Sequence, residues 1–258
     1  MNSLTLPDTN INRQKIHAAL YFASALLLAE LRNIQSLVIN LGLPVFMLLS
    51  FWLPSIGAHG EEAEVILLMF PAIATLSVMM PGHIQATRLT RWREQGIFER
   101  LILTPIPLHH LILGAALVPV SLGIVLGMLM LIFAMPIIGI ALSIGTALEA
   151  LGVMALISIT FSAFGLLLAA FIKRSDVAGY AYFFAIVPLF FLGSFSSDML
   201  PPMLNSFTPW LPTTMAVRLV NALLMEGGLG VGAWIYLLGL GSYAIVFSAF
   251  GLRSFRWE

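Results

Sequence analysis

Apolar positions in this chain come in long unbroken runs, not in alternation. Six runs are long enough to cross a bilayer, at about 38–53 (entered from about Asn33), 65–86, 108–134, 146–172, 177–195 and 229–252. A transmembrane helix needs roughly twenty apolar residues. Barrel strands are about ten residues long and alternate in polarity. The pattern predicts an all-α integral membrane protein with six transmembrane helices. One further run, residues 16–31, begins behind Arg13 and Lys15 and ends at Glu30 and Arg32. It is short for a span and is predicted to lie as a helix along the inner membrane surface. The competing reading makes it a true first span, giving seven spans with the termini on opposite sides.

Several positions qualify the spans. Gly42 and Pro44 fall in the first, where a packing kink is preferred over a hinge. Pro71 and Pro81 fall in the second, and Pro188 in the fifth. Gly123 and Gly127 in the third are spaced to let two helices approach closely. Residues 135–145 form an uncharged turn. Glu149 sits within one turn of the fourth span's outer end, where an interfacial placement is preferred over a functional intramembrane acid. Between residues 196 and 228, Pro201, Pro202, Pro209 and Pro212 break any long helix. Residues 213–225 suit one short helix ended by Gly227 and Gly228. It holds Arg218, which would cost roughly 3 kcal/mol at mid-bilayer. Short re-entrant helices entering from the outer side are therefore predicted before the last span.

Composition narrows the class further. The chain is 60% hydrophobic and 9% charged, against about 25% charged in soluble domains. One membrane domain, residues 1–258, accounts for the whole sequence. Net charge is zero, so nothing points to a nucleic-acid partner. There is no cysteine, which excludes disulfides and thiolate chemistry. The polar N-terminus does not resemble a cleaved leader. Placing residues 1–32, residues 88–107, Lys173-Arg174 and the tail on one side collects eleven of the twelve basic residues there, leaving Arg218 outside. The basic-residue rule then makes both termini cytoplasmic, and the expected location is the inner membrane.

Residues 88–110 form the one strongly charged island, read as a loop in water between two spans. They hold Arg88, Arg91, Arg93 and Arg100, with Glu94 and Glu99. Gly96 interrupts the helix that leaves the membrane. Residues 97–103 restart as a short helix with Ile97 over Leu101 and Phe98 over Ile102. Thr104-Pro105-Ile106-Pro107 must be extended. The expected object is a small knob whose apolar face suits a groove on a partner and whose charges suit the rim. The bland reading is a solvated loop whose arginines only set topology. Topology alone needs neither the short helix nor the apolar face.

This island resembles the signature of type-2 ATP-binding-cassette (ABC) exporter permeases. Arg93, Glu94, Gly96, Phe98, Glu99, Arg100, Leu101, Thr104 and Pro105 match it, with Ile97 where the family often has Thr. Glu30-Leu31-Arg32 and the proline-rich stretch from Ser194 through Pro212 to Arg218 resemble the family elsewhere. The resemblance implies that Arg91, Arg93, Glu94, Gly96, Ile97, Phe98, Glu99, Arg100, Leu101, Thr104 and Pro105 make up a coupling segment seated on an ATP-hydrolysing subunit. It also implies two permease chains per assembly and export of substrate. The ATPase is not within this sequence. The two lysines, Lys15 and Lys173, are followed by Ile16 and Arg174, which fits no phosphate-binding loop. No cofactor is expected on this chain, and ATP and Mg belong to the partner.

Other classes fit less well. A secondary transporter or channel predicts ionisable relays deep in the spans, but Asp, Glu, Lys and Arg are missing from the span centres, and His83 lies near one end. Intramembrane enzymes need a metal pair or catalytic grouping. His109-His110 are adjacent, so an interfacial pair is preferred, and His59, Glu61, Glu62 and Glu64 match no ligand spacing. Phe46, Phe161, Phe164, Phe183 and Phe184 are the candidate pathway residues, beside the reading that each is packing or lipid-facing bulk. An aromatic wall along a chain pair suits an amphipathic cargo such as a drug, lipid or glycan.

Overall fold

A computed structural model describes residues 9–55, 61–101, 103, 107–138, 143–194 and 201–255. Among them the regular structure is helical, with no strand. In chain order the helices are α1 (Thr9–Arg32), α2 (Ile34–Ser55), α3 (Glu61–Met79), α4 (Gly82–Glu94), α5 (Ile97–Leu101) and α6 (Leu108–Ile138). They continue with α7 (Ile144–Phe171), α8 (Ser175–Ser194), α9 (Pro202–Asn205), α10 (Pro212–Met225) and α11 (Ala233–Ser254). Residues His110–Phe133 of α6, and α7, α8 and α11, are each long and apolar enough to cross a membrane. The helices around Asn33 make a fifth candidate if taken together, though they bend by 73° there. The bend turns α1 off the axis of α2 and lays it against α6.

The second run departs from expectation. It is not one helix from 65 to 86 but two, parted at Met80-Pro81. Proline has no N–H to continue the ladder, and the chain tightens to three-residue spacing. His83 N donates to Met80 O (3.1 Å) and Ile84 N to Pro81 O (3.0 Å). Tyr182 of α8, fully buried, donates its hydroxyl to Met79 O at 2.6 Å. The His83 Nδ1 lies 2.7 Å from Met80 O. Beyond the break α4 runs on into the charged stretch. Residues 88–94 are thus packed helix and not a loop in water, with Leu89, Thr90 and Trp92 buried. Leu89, Thr90 and Trp92 pack inward, Arg88 and Arg93 find partners of their own, and Arg91 faces outward.

Helix α7 is the centre of the bundle and packs on α4, α6 and α11, with α3 and α10 also against it. Met154, Ile157 and Phe161 place its side chains in the main core beside Met79, Tyr182 and Leu223. Small residues set these contacts. Gly123 faces Val78 O and the Ser158 side chain, and Gly127 faces Val78 and Met154, so the pair on α6 meets both α3 and α7 as expected. Gly165 of α7 abuts the Gly82 carbonyl, while Gly82 abuts the Tyr182 hydroxyl and the Phe161 carbonyl.

One end of the bundle carries the broken, proline-rich segment. It consists of α9, a 3-10 turn at Thr208–Trp210 and α10. Helix α10 matches the short helix expected at 213–225. It buries Met215, Ala216, Leu219, Val220 and Leu223 and leaves Arg218 exposed. Thr213 Oγ1 donates to Leu189 O (2.8 Å) and Thr146 Oγ1 to Gly227 O (3.0 Å), tying α10 to α8 and α7. Glu149 is exposed and accepts from Leu229 N at 2.8 Å, so it anchors the connection to α11. The turn after the third run is narrower than 135–145, because α6 continues to Ile138. His59 lies outside the described residues, as do the side chains of Glu61, Glu62 and Glu64.

Two glycines of α7 should respond oppositely to the same change. Gly165→Ala drives a methyl into the Gly82 carbonyl and should lower stability by about 1–3 kcal/mol. Gly152→Ala enters open space and should leave the thermal midpoint unchanged or slightly raised. Melting the purified variants in one detergent checks this. Equal behaviour of the two would show that the α4–α7 contact is looser than the structure has it.

Candidate functional site

The island is built around a corner. Helix α4 ends where Gln95 N donates to Arg91 O (3.0 Å) and Gly96 N to Arg93 O (3.1 Å). Gly96 has φ of 61°, a left-handed conformation that suits glycine and lets the chain leave the α4 axis at once. Helix α5 then restarts over five residues. So short a helix has little stability of its own, and what holds it is Phe98, only 1% exposed. Its ring meets Trp92 at 6.0 Å and Phe255 at 5.4 Å, both edge-on, and Trp92 meets Phe22 at 5.7 Å. Leu89, Ile112, Ala115, Leu166 and Ala169 complete the cluster, with Ile97 and Leu101 packed on it. The corner is thereby joined to α1, α4, α6, α7 and the end of α11.

This corrects one expectation. The apolar face of the short helix does not stand free for a partner groove; Phe98 turns inward onto the chain's own helices. Among the described residues, what faces outward is charge and one leucine. Arg91, Glu94, Glu99 and Arg100 are exposed, as is Leu103. Gly96, Ile97 and Leu101 are half-buried. Ile102, Thr104, Pro105 and Ile106 lie outside the described residues.

Arg93 also differs from a rim residue. Its guanidinium donates to Ala169 O (3.0 Å) and to Ile172 O, and stands 5.4 Å over the Phe255 ring. These carbonyls belong to the last turn of α7, where intrahelical partners run out and a cation is favoured. Partial burial pulls the Arg93 guanidinium below its ordinary value, opposed by the nearby Glu94 carboxylate. It stays charged at neutral pH. Arg88, one turn earlier, pairs with Glu30 of α1, and Ser36 Oγ also donates to Glu30. Arg88 Nη1 reaches Ala115 O of α6 at 3.5 Å.

The start of α8 closes the same end. Glu94 accepts from Ser175 N at 3.0 Å. Hydrogen bonds from Ser175 hold its carboxyl below the usual carboxylate range. Asp176 is held low by its hydrogen bonds from Arg174, whose guanidinium is raised in return. Both acids sit at the N-terminus of α8, where negative charge is favoured. With folded values below the unfolded ones, whatever these acids contribute is present above the unfolded carboxylate range and fades as pH falls through the folded values. Their exposure keeps that contribution small.

The five candidate pathway residues do not converge. Phe161 is core. Phe164 and Phe183 are half-buried, near Tyr182 (5.7 Å) and His83 (5.2 Å) respectively. Phe46 and Phe184 are exposed on α2 and α8. No metal-holding group of His, Asp or Glu occurs among the described residues. Sequence reasoning missed the Glu30–Arg88 pair, although an acid closing an apolar run opposite a basic helix end was the available clue. It also missed the aromatic tie from Trp92 through Phe98 to Phe255, which joins residues far apart in the chain.

A family model described as ABC-2 type transporter matches residues 21–225. The chain belongs to the ABC-2 type transporter family. It is a multi-pass membrane permease, and the matched range includes the whole corner. A search of curated proteins finds no match to it.

The Glu30–Arg88 pair is little exposed, at 12% and 10%. Removing one partner leaves an uncompensated charge, so Glu30→Gln should destabilise by about 3–5 kcal/mol. The double variant Glu30→Gln, Arg88→Met should recover most of that loss. A double-mutant cycle of thermal midpoints measures it. Additive losses would mean that the two residues act separately.

Proposed function

We propose that this chain is the membrane subunit of an ABC exporter, driven by ATP that a separate ATPase subunit hydrolyses with Mg. Two permease chains and two ATPase subunits form the working unit. The family supports the permease reading; export, cargo and partner are our inference. The observation that carries it is the corner itself. Exposed Arg91, Glu94, Glu99 and Arg100 stand on a segment whose buried anchor, Phe98, is packed among five helices. A push on these charges is passed directly to α4, α6, α7 and α11. A solvated loop would absorb it.

In this reading the contact surface is the charged face, with Leu103 beside it. Gly96 sets the corner's angle, Ile97 and Leu101 brace it from within, and Arg93 ties it to the end of α7. ATP must favour one arrangement of the spans over another by a few kcal/mol, and contacts made differently in the two states supply that difference. The corner faces the cytoplasm of an inner membrane, both termini lie on that side, and six spans cross it. Helix α1 lies on the surface and α9 and α10 are re-entrant from the outer side. The cargo is amphipathic. Of the aromatic residues, Phe46 and Phe184 suit a wall shared with the second chain, because their exposed rings leave room for it. Phe161 belongs to the core.

Co-expression with a cognate ATPase subunit tests the assignment. The native pair should co-purify and hydrolyse ATP. Glu99→Arg, at an exposed position, should leave insertion and thermal midpoint unchanged and reduce transport-coupled hydrolysis at least tenfold, with Arg100→Glu acting alike. Undiminished transport in both variants, or a chain that never captures an ATPase, would rule the reading out.

A further inference from the structure

Gln85 is the polar residue that the fold least explains. It lies on α4 with 0% exposure, and neither its Oε1 nor its Nε2 has a hydrogen-bond partner. Ser162 on α7, also buried, has an unpartnered Oγ. Buried polar atoms are nearly always paired, and one left without a partner carries its full desolvation cost. Both residues line a single cavity of about 360 Å³ between α4, α6, α7 and α11. That volume falls within the roughly 300–1,000 Å³ range of small-molecule sites.

The remaining wall says what kind of molecule fits. It is overwhelmingly apolar: no Asp, Glu, Lys or Arg lines it, and His110 at the start of α6 is its one titratable residue. A cationic group there would therefore lack a counter-charge, and an anionic one would have no cation beside it but the His110 ring. The wall residues Leu113 and Leu117 of α6 and Ile159 of α7 are exposed on the bundle's apolar flank. The mouth thus opens sideways toward hydrocarbon. The cavity lies in the half of the bundle nearer the charged corner, since it uses the start of α6 and the ends of α7 and α11. None of the candidate pathway phenylalanines lines it.

We propose that this cavity binds a neutral lipid from the adjoining leaflet. The acyl chain lies against Leu113, Leu117 and Ile159. An ester carbonyl accepts from the Gln85 amide, and a free hydroxyl donates to the Gln85 carbonyl or bonds to Ser162. A carboxamide and a hydroxyl offer both donors and acceptors, matching a glycerol hydroxyl and its neighbouring ester. The proposal stands on the cavity and its two unpaired groups, and does not depend on the exporter reading.

The test uses the full chain in nanodiscs with a photoreactive diacylglycerol that carries its diazirine in the acyl chain. Labelling should map to α6 and α11 and be competed by unlabelled diacylglycerol. A matched photoreactive phosphatidic acid should label there weakly. Gln85→Leu should cut labelling by about fivefold or more, the loss expected for one or two neutral hydrogen bonds, and Ser162→Ala should cut it less. Leu117→Trp fills the mouth from its exposed side without touching the core, and it decides the matter if Gln85→Leu does not fold. Thermal midpoints establish that compared variants are folded. Labelling that survives Leu117→Trp and Gln85→Leu, or that is as strong with phosphatidic acid, would overturn the proposal and leave the cavity to water or to unselective lipid.

Discussion

Interrupting a helix in hydrocarbon leaves backbone carbonyls with no water to turn to, and each costs several kcal/mol if nothing else binds it. The break at Met80-Pro81 is the place where this chain meets that constraint. Tyr182 supplies a hydroxyl to Met79 O and His83 supplies a ring nitrogen to Met80 O. Tyr182 reaches its acceptor only because α8 lies close, and the fit of Gly82 and Gly165 lets α4 and α7 approach closely enough. The break, α7 and α8 therefore define one another. With α4 aimed by this joint, its far end carries Arg88, Arg93 and Trp92 to the places where α1, α7 and α11 can receive them.

The charges at that end are arranged by helix polarity as much as by pairing. Arg93 closes the spent carbonyls of α7, and Glu94 and Asp176 sit over the start of α8. Arg88 has the carboxylate of Glu30. These contacts settle the helix ends without filling the outer face, so Arg91, Glu99 and Arg100 remain available to another molecule. A partner that moves this face moves helix ends held by directed bonds, and those resist sliding more than apolar surfaces do.

Much of this architecture was legible from hydrophobic runs and punctuation. The apolar lengths of α6, α7, α8 and α11 identified crossing helices, Gly96 marked the corner, and Gly123 and Gly127 marked a close contact. The prolines marked the broken segment that ends in α10. What was not legible depends on contacts distant in sequence. Residues 88–94 read as a water-exposed loop because charge dominates the local pattern. Glu30, the α7 carbonyls and Phe255, which together receive Arg88 and Arg93, lie 58 or more residues away. Phe98 read as a free apolar face for the same reason, since nothing near it announces Trp92 and Phe255 as its neighbours. Pro81 was visible, but whether a proline kinks or divides a helix depends on who satisfies the freed carbonyls, and Tyr182 is 103 residues from its acceptor.

The two ends of the bundle meet the same requirement by different means. At the outer-predicted end, α10 is held by neutral bonds such as Thr213 to Leu189 O and Thr146 to Gly227 O, with a wide apolar face beneath. At the charged end, ionic and aromatic contacts hold α4 and α5, and the apolar layer there is smaller. Neutral bonds over a broad apolar face permit small shifts with little loss, because each bond is weak alone and dispersion changes gradually. A buried ion pair such as Glu30–Arg88 does not, since separating it strands charge. The charged end is thereby fixed to α4, which leads back to the Pro81 joint, where the helix is already divided and its carbonyls are held by side chains. That joint is where a displacement of the corner can become a change in the angle between α3 and α4.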